Sequence, residues 1–222
     1  HVVALREELK SWLFFYFEPR ERMRAANPVK EVHHLGLMGE DLAAFLNTLK
    51  VLSPEQFETI ERGLRLLIPS VEGVNVEVDT VGEVRLSLQE GQVPVPAGVV
   101  SEGTLRILGL LALSGIARPL SVLGFEEPEN GIHPRRLRNV ARFLEDRASA
   151  EKTQVIVTTH SPLLADYLPH DSLLVVRKDG ARTTVTPLTT WRRLFAGSAV
   201  DDALDDEVPD PSLLILRGDL DA

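Results

Sequence analysis

Cysteine is absent, which removes disulfides and thiolate metal sites and fits a cytoplasmic, reducing setting. Basic residues are outnumbered: 24 Lys and Arg stand against 33 Asp and Glu, a formal charge of −9. Nothing global therefore suggests a polyanion-binding surface, although a local basic patch on one face is compatible with that balance. Apolar runs are short, none approaching the roughly 20 residues that span a bilayer, so no membrane partner is expected. Aromatic residues make up 5% of the chain, and its two tryptophans, Trp12 and Trp191, read as packing residues and not as base-stacking platforms. There is no internal repeat or low-complexity tract, and no G-x-x-x-x-G-K-[ST] phosphate cradle.

What is there suffices for a folded core: 222 residues with 44% hydrophobic content, as one large domain or two small lobes. The chain starts inside a helical pattern, with Val2, Leu5, Leu9, Trp12, Leu13 and Tyr16 at helical spacing, so an upstream part is expected. That helix should run over 2–17 and stop at Glu18-Pro19. Residues 18–38 read as an irregular solvated loop carrying Arg20, Arg22, Arg24 and Lys30, with anion binding by that cluster as the alternative. An amphipathic helix over 39–50 is followed by a second to about residue 67, opened by Ser53-Pro-Glu-Gln56 as a capping box. Val74, Val76 and Val78 alternate, as do Val84, Leu86 and Leu88, around Val81-Gly82, which predicts a hairpin; 91–100 reads as a linker.

The chemistry-bearing stretches follow. Ser101-Glu-Gly-Thr-Leu-Arg106 starts a helix with Leu105, Leu108, Leu111 and Leu113 in its apolar stripe. Its first turn offers free backbone N–H groups to an anion, although a serine N-cap is also commonplace. The apolar run Leu120-Ser-Val-Leu-Gly-Phe ends in Glu126-Glu127-Pro128 and then Glu129-Asn-Gly-Ile-His-Pro134. Adjacent acids at the carboxyl end of a buried strand stand where open α/β sheets hold ligands. If strand geometry persists, the two point to opposite faces, one toward a hydrated Mg²⁺ and the other polarising a water; a solvated acidic strand end is the alternative. Pro134 leads a helix to about Arg147, with Arg135, Arg136 and Arg138 on a solvated face, contact with DNA or a partner subunit being the alternative, and Gln154-Val-Ile-Val-Thr-Thr-His-Ser-Pro162 reads as a second buried strand. Strand, helix, strand predicts a right-handed βαβ unit that brings Glu127 and His160 to one sheet edge. A short capped helix from Ser161, a hairpin over 173–188 and an acidic surface segment from Asp201 to Asp210 complete the chain. His33, His34 and His170 lack partners at metal-ligand spacing.

Ser101-Glu-Gly-Thr, Phe125-Glu-Glu-Pro-Glu-Asn-Gly-Ile-His-Pro134 and Val155-Ile-Val-Thr-Thr-His-Ser-Pro162 stand in the order signature motif, Walker B with D-loop, and switch histidine. Together they resemble the ABC-type ATPases of the SMC/RecF/OLD-like, AAA-family kind, most closely from about 100 to 177. The resemblance implies an α/β fold: a parallel-sheet P-loop NTPase (ABC ATPase) core with a helical signature subdomain and small β-hairpins. It divides the chain into a helical and hairpin lobe over 1–100, the core over 101–190 and an acidic extension over 191–222. ATP and Mg²⁺ are the implied cofactors. By the same resemblance Glu126 holds the Mg²⁺ side, through a water if need be, Glu127 is the general base and His160 contacts the γ-phosphate. Ser101, Glu102, Gly103 and Thr104 would meet ATP of a second subunit, and Asn130, Gly131 and His133 would lie along that dimer interface.

Departures from the family pattern set limits. Glutamate at 126 replaces the usual aspartate, Glu102 replaces a glycine, and neither the phosphate loop nor a glutamine loop is found. The implied partners are a second copy through the ATP sites, a missing N-terminal Walker A segment or chain, and a nuclease effector or DNA in repair or antiviral defence. The alternatives are a non-catalytic half-domain that supplies a signature helix to a partner, and the ATPase part of an OLD-like nuclease.

Overall fold

The structure, a computed structural model, describes residues 1–116, 120–150, 153–190 and 210–217. The chain forms two compact units, His1–Thr158 and Thr159–Ala222. At the centre of the first lies β6 (Val122–Glu126), buried along its first four residues. Strand β1 (Trp12–Phe15) runs parallel on one side, Phe15 opposite Phe125, and β7 (Gln154–Thr158) runs parallel on the other, Thr158 opposite Glu126. The crossover from β6 to β7 is α5 (Leu137–Ala150), entered through a 3₁₀ turn at Pro134–Arg136. The expected βαβ unit is thus present.

The helix expected over 2–17 is instead two elements: α1 stops at Leu9 (Val2–Leu9), and Trp12–Phe15 is strand β1. Helical spacing and an unbroken apolar run overlap there, and such a run also fits a strand inside a parallel sheet. Pairing with β6 decides it, locked at its start by Ser11 Oγ donating to Ser121 Oγ at 2.8 Å. Trp12, expected to be a packing residue, is exposed, its indole N–H donating to Glu8 Oε1 at 3.1 Å. The β7 residues, expected to be buried, are exposed or half-exposed. Among the described residues β7 ends the three-strand order β1-β6-β7, with β6 on one side only.

The helical layer is α2 (Leu42–Leu52), α3 (Pro54–Leu67) and α4 (Glu102–Ala112), in which Phe45, Leu46, Leu64, Leu105 and Leu108 are all fully buried. The capping box at Ser53 does not close. Ser53 also ends α2, so its N–H already donates to the Leu49 carbonyl and is unavailable to Gln56. An antiparallel sheet has β4 (Glu83–Glu90) pairing with β2 (Asn27–Pro28), β3 (Gly73–Val78) and β5 (Val93–Pro96). The β3–β4 hairpin is the expected one, whereas β5 occupies the expected linker.

In the second unit, Ser161 caps α6 (Pro162–Asp166) by accepting from Leu164 N, and Ser212 N donates to Asp166 Oδ1 at 2.8 Å. The hairpin β8 (Leu174–Asp179) and β9 (Arg182–Pro187) follows, and Val175 and Leu188 share a small core with Leu214 of the helix Pro211–Leu216. Trp191 and the acidic segment before Asp210 lie outside the described residues. Among the described residues no helix is long and apolar enough to cross a membrane.

Candidate functional site

The carboxyl end of β6 carries the two acids. Glu126 is the last strand residue and is exposed; Glu127 is half-buried and has left the strand, with φ +45°. The expectation of opposite faces rests on strand geometry persisting, and at Glu127 it does not. A left-handed backbone at a non-glycine residue costs about 1–2 kcal/mol. Local bonds hold it there: Glu127 N donates to the Thr158 carbonyl at 2.9 Å, Asn130 N donates to the Glu127 carbonyl at 3.1 Å, and Asn130 Nδ2 donates to Glu127 Oε2 at 3.1 Å. The turn closes with Ile132 N on the Glu129 carbonyl and with His133 Nδ1 accepting from Arg135 N.

The start of α4 faces this turn. Ser101 is the exposed N-cap, its Oγ accepting from Thr104 N at 3.2 Å and donating to Thr104 Oγ1 at 2.8 Å. Gly103 is buried against Gly131, so that a Cβ at Gly103 would collide with the Gly131 carbonyl oxygen. Gly131 adopts φ +72°, which favours glycine and turns that carbonyl onto the helix. The signature-like and D-loop-like stretches therefore touch within one chain.

A third segment, missed as a solvated loop, is fastened to the same turn. After β1, Glu18 accepts from the N–H groups of Arg20, Glu21 and Arg22 and caps a π-helical turn at Pro19–Met23. Burial pushes the Glu18 carboxyl up, but the three N–H groups and the Arg106 charge outweigh it and hold its pKa below the ordinary value. Arg20 Nε donates to Glu102 Oε1 at 2.6 Å and Arg24 NH2 to the Val100 carbonyl at 2.7 Å, so the two arginines bracket Ser101. Glu102 in turn raises the Arg20 pKa. Lys30 pairs with Asp41 at 2.8 Å. An Arg-rich run is poor guidance to such contacts, since its targets lie 76 and 82 residues away.

Glu126, Glu127, Asn130 and Gly131 thus share one edge with Ser101, Glu102, Gly103 and Thr104, while His133 begins the way into α5. His160 is exposed and belongs to the second unit, two residues along the chain from the end of β7. Among the described residues no group of three acids or histidines forms a metal cage. The exposed Glu126 carboxylate suits Mg²⁺, which takes one or two carboxylates beside phosphate oxygens and water.

A family described as "AAA domain, putative AbiEii toxin, Type IV TA system" matches residues 15–166. The OLD nuclease of Thermus scotoductus is 31% identical over 98 residues, 43% of this chain and 19% of that protein, so the match spans about a fifth of the relative's length. A solved Smc head domain with a coiled coil and joint, from Pyrococcus yayanosii, superposes with a TM-score of 0.50 at 15% identity, over 67% of this chain and 29% of that one. An Smc head bound to the C-winged helix domain of ScpA gives 0.52 at 15% identity, over 63% and 44%. At these identities the likeness is one of fold, the mixed α/β P-loop NTPase fold with a parallel three-strand sheet.

Proposed function

The chain belongs to the AAA-domain family that matches residues 15–166, an ATPase family, and from that premise we propose that it binds and hydrolyses ATP with Mg²⁺ as the C-terminal half of an SMC/RecF-like ATPase. Glu127 is the general base for the attacking water, Glu126 stands on the metal side and His160 contacts the γ-phosphate. Ser101, Glu102, Gly103 and Thr104 meet the nucleotide of a second copy, with Asn130, Gly131 and His133 along the dimer interface. In this reading 1–100 is a lobe, 101–190 the core and 191–222 an extension, and an upstream Walker A segment completes the site.

The observation that carries the reading is Glu127. A side chain held in a costly backbone conformation by two backbone bonds and an amide donor, at the carboxyl end of a central parallel strand, has the placement of a reacting group. Mg²⁺, when bound, supplies charge compensation at the phosphates; this chain's own part is to orient a water and offer helix N–H groups to an anion. The 31% identity to an OLD nuclease supports a coupled effector, a nuclease acting on DNA in repair or antiviral defence, with this chain as the ATPase part.

The test is Glu127→Gln in the full-length protein. We expect ATP hydrolysis to fall by about 10²-fold or more while ATP binding persists and dimers accumulate in light scattering. Hydrolysis at the wild-type rate would sink the base assignment, and a monomer under every nucleotide condition would sink the composite site.

A further inference from the structure

The start of α4 carries an acid where the ATPase reading brings an anion. Glu102 is half-buried, directly follows the N-cap Ser101, and stands where the family pattern has glycine. A carboxylate in the first turn of a helix is favoured by the helix dipole, but it competes for the same positive end and repels a phosphate that approaches it. A helix start that bears Glu102 therefore needs a cation beside it to accept a triphosphate. Arg20 stands there: its Nε donates to Glu102 Oε1 at 2.6 Å, while its side chain is 74% exposed. Among the described residues no other hydrogen bond reaches its guanidinium, so the terminal nitrogens of the fork stay open to a further acceptor.

The turn that displays Arg20 is firmly seated. The Arg20 N–H donates to Glu18 Oε1 at 3.1 Å within the carboxylate cap of Pro19–Met23. Met23 closes that turn and is fully buried against α4, where a Cβ on Gly109 would meet its Cε at 2.6 Å. Arg24 then fixes the chain to the residue before Ser101, donating to the Val100 carbonyl at 2.7 Å. A solvated surface ion pair contributes little stability and needs no such platform.

We propose that Arg20 is a further phosphate-binding residue of the composite site, offsetting the charge of Glu102 and offering its remaining N–H groups to the triphosphate that Ser101 meets on the second copy. The proposal rests on the ATPase reading above. It also gives the acid at 102 a partner, 82 residues earlier in the chain. Arginine suits the task, since its planar fork holds a carboxylate along one side and a phosphate along another, which a lysine ammonium does not do.

The experiment uses the full-length protein in the Glu127→Gln background, where ATP-bound dimers are expected to accumulate. It measures Mg-ATP affinity in dilute monomer, the dimer Kd with Mg-ATP by light scattering, and Tm without nucleotide. Arg20→Gln is expected to weaken the ATP-dependent dimer about tenfold or more, with monomer ATP affinity within about twofold and Tm unchanged. Adding Glu102→Gln to Arg20→Gln should recover part of that loss, because the repelling carboxylate is gone, and Arg20→Lys should lie between Arg20→Gln and the parent. A dimer as tight in Arg20→Gln as in its parent would overturn the role of Arg20 and leave the ATPase reading standing, as would a double variant no tighter than Arg20→Gln. A fall in dimer affinity matched by a fall in Tm would reduce Arg20 to a structural clamp. A parent that stays monomeric with Mg-ATP would remove the composite site, and the proposal with it.

Discussion

Strands β6 and β7 are neighbours in one parallel sheet, of equal length and similarly apolar, yet Val122 to Phe125 are buried and no residue of β7 is. Among the described residues β6 has a strand on each side and β7 one, β6 itself. Sheet position, and not residue type, sets how much a Val or Ile in this sheet contributes. The same difference governs their carboxyl ends. The turn after β6 is pressed onto α4 through Gly131 and Gly103, while the chain after β7 passes into the second unit.

Substitution in the two strands should separate sharply. Phe125→Ala removes a ring 5.6 Å from Phe15 and 6.0 Å from Phe17, and we expect a loss of about 3–5 kcal/mol in urea unfolding. Gly103→Ala forces the turn after β6 away from α4, for which we expect about 1–3 kcal/mol by the same measurement. Ile156→Ala in β7, at a residue 47% exposed, should cost less than about 1 kcal/mol. A loss there as large as that of Phe125→Ala would break the comparison, since it would mean that β7 is covered in the molecule measured. The smallest effect concerns the third strand end. The Glu18 pKa is held below its ordinary 4.5, so its contribution is complete above that value and is lost as pH falls through the lowered one. Glu18→Gln should lower Tm slightly near neutral pH, with the gap to wild type closing under acid conditions; a gap that widens in acid would reverse the sign assigned here.

Much of the site was legible because its parts are local. Ser101 as an N-cap, the strand ending at Glu126 and the turn over 129–133 depend on residues within a few positions, where capping, period and turn chemistry act. Arg106 left a signal too, a cation within an otherwise apolar run, but nothing nearby in sequence says that its side chain is buried. Arg20 and Arg24 left less, since arginines after a proline turn are most often solvated. Strand β1 is not legible locally because its apolar run also satisfies helical spacing, and the pairing that makes it a strand is with residues 122–125.

The sequence alone determined the order of the motifs, the two carboxylates after an apolar strand and the βαβ unit joining them. These follow from nearest-neighbour preferences and short connections, which are the same wherever the segment lies. Only the tertiary structure decided that Trp12–Phe15 is a strand, that Gly103 packs under Gly131, that Glu127 is left-handed, and that Arg20 and Arg24 bracket Ser101 at the start of α4. Those outcomes come from burial and pairing between distant segments, energies that do not exist until the core has closed around β6.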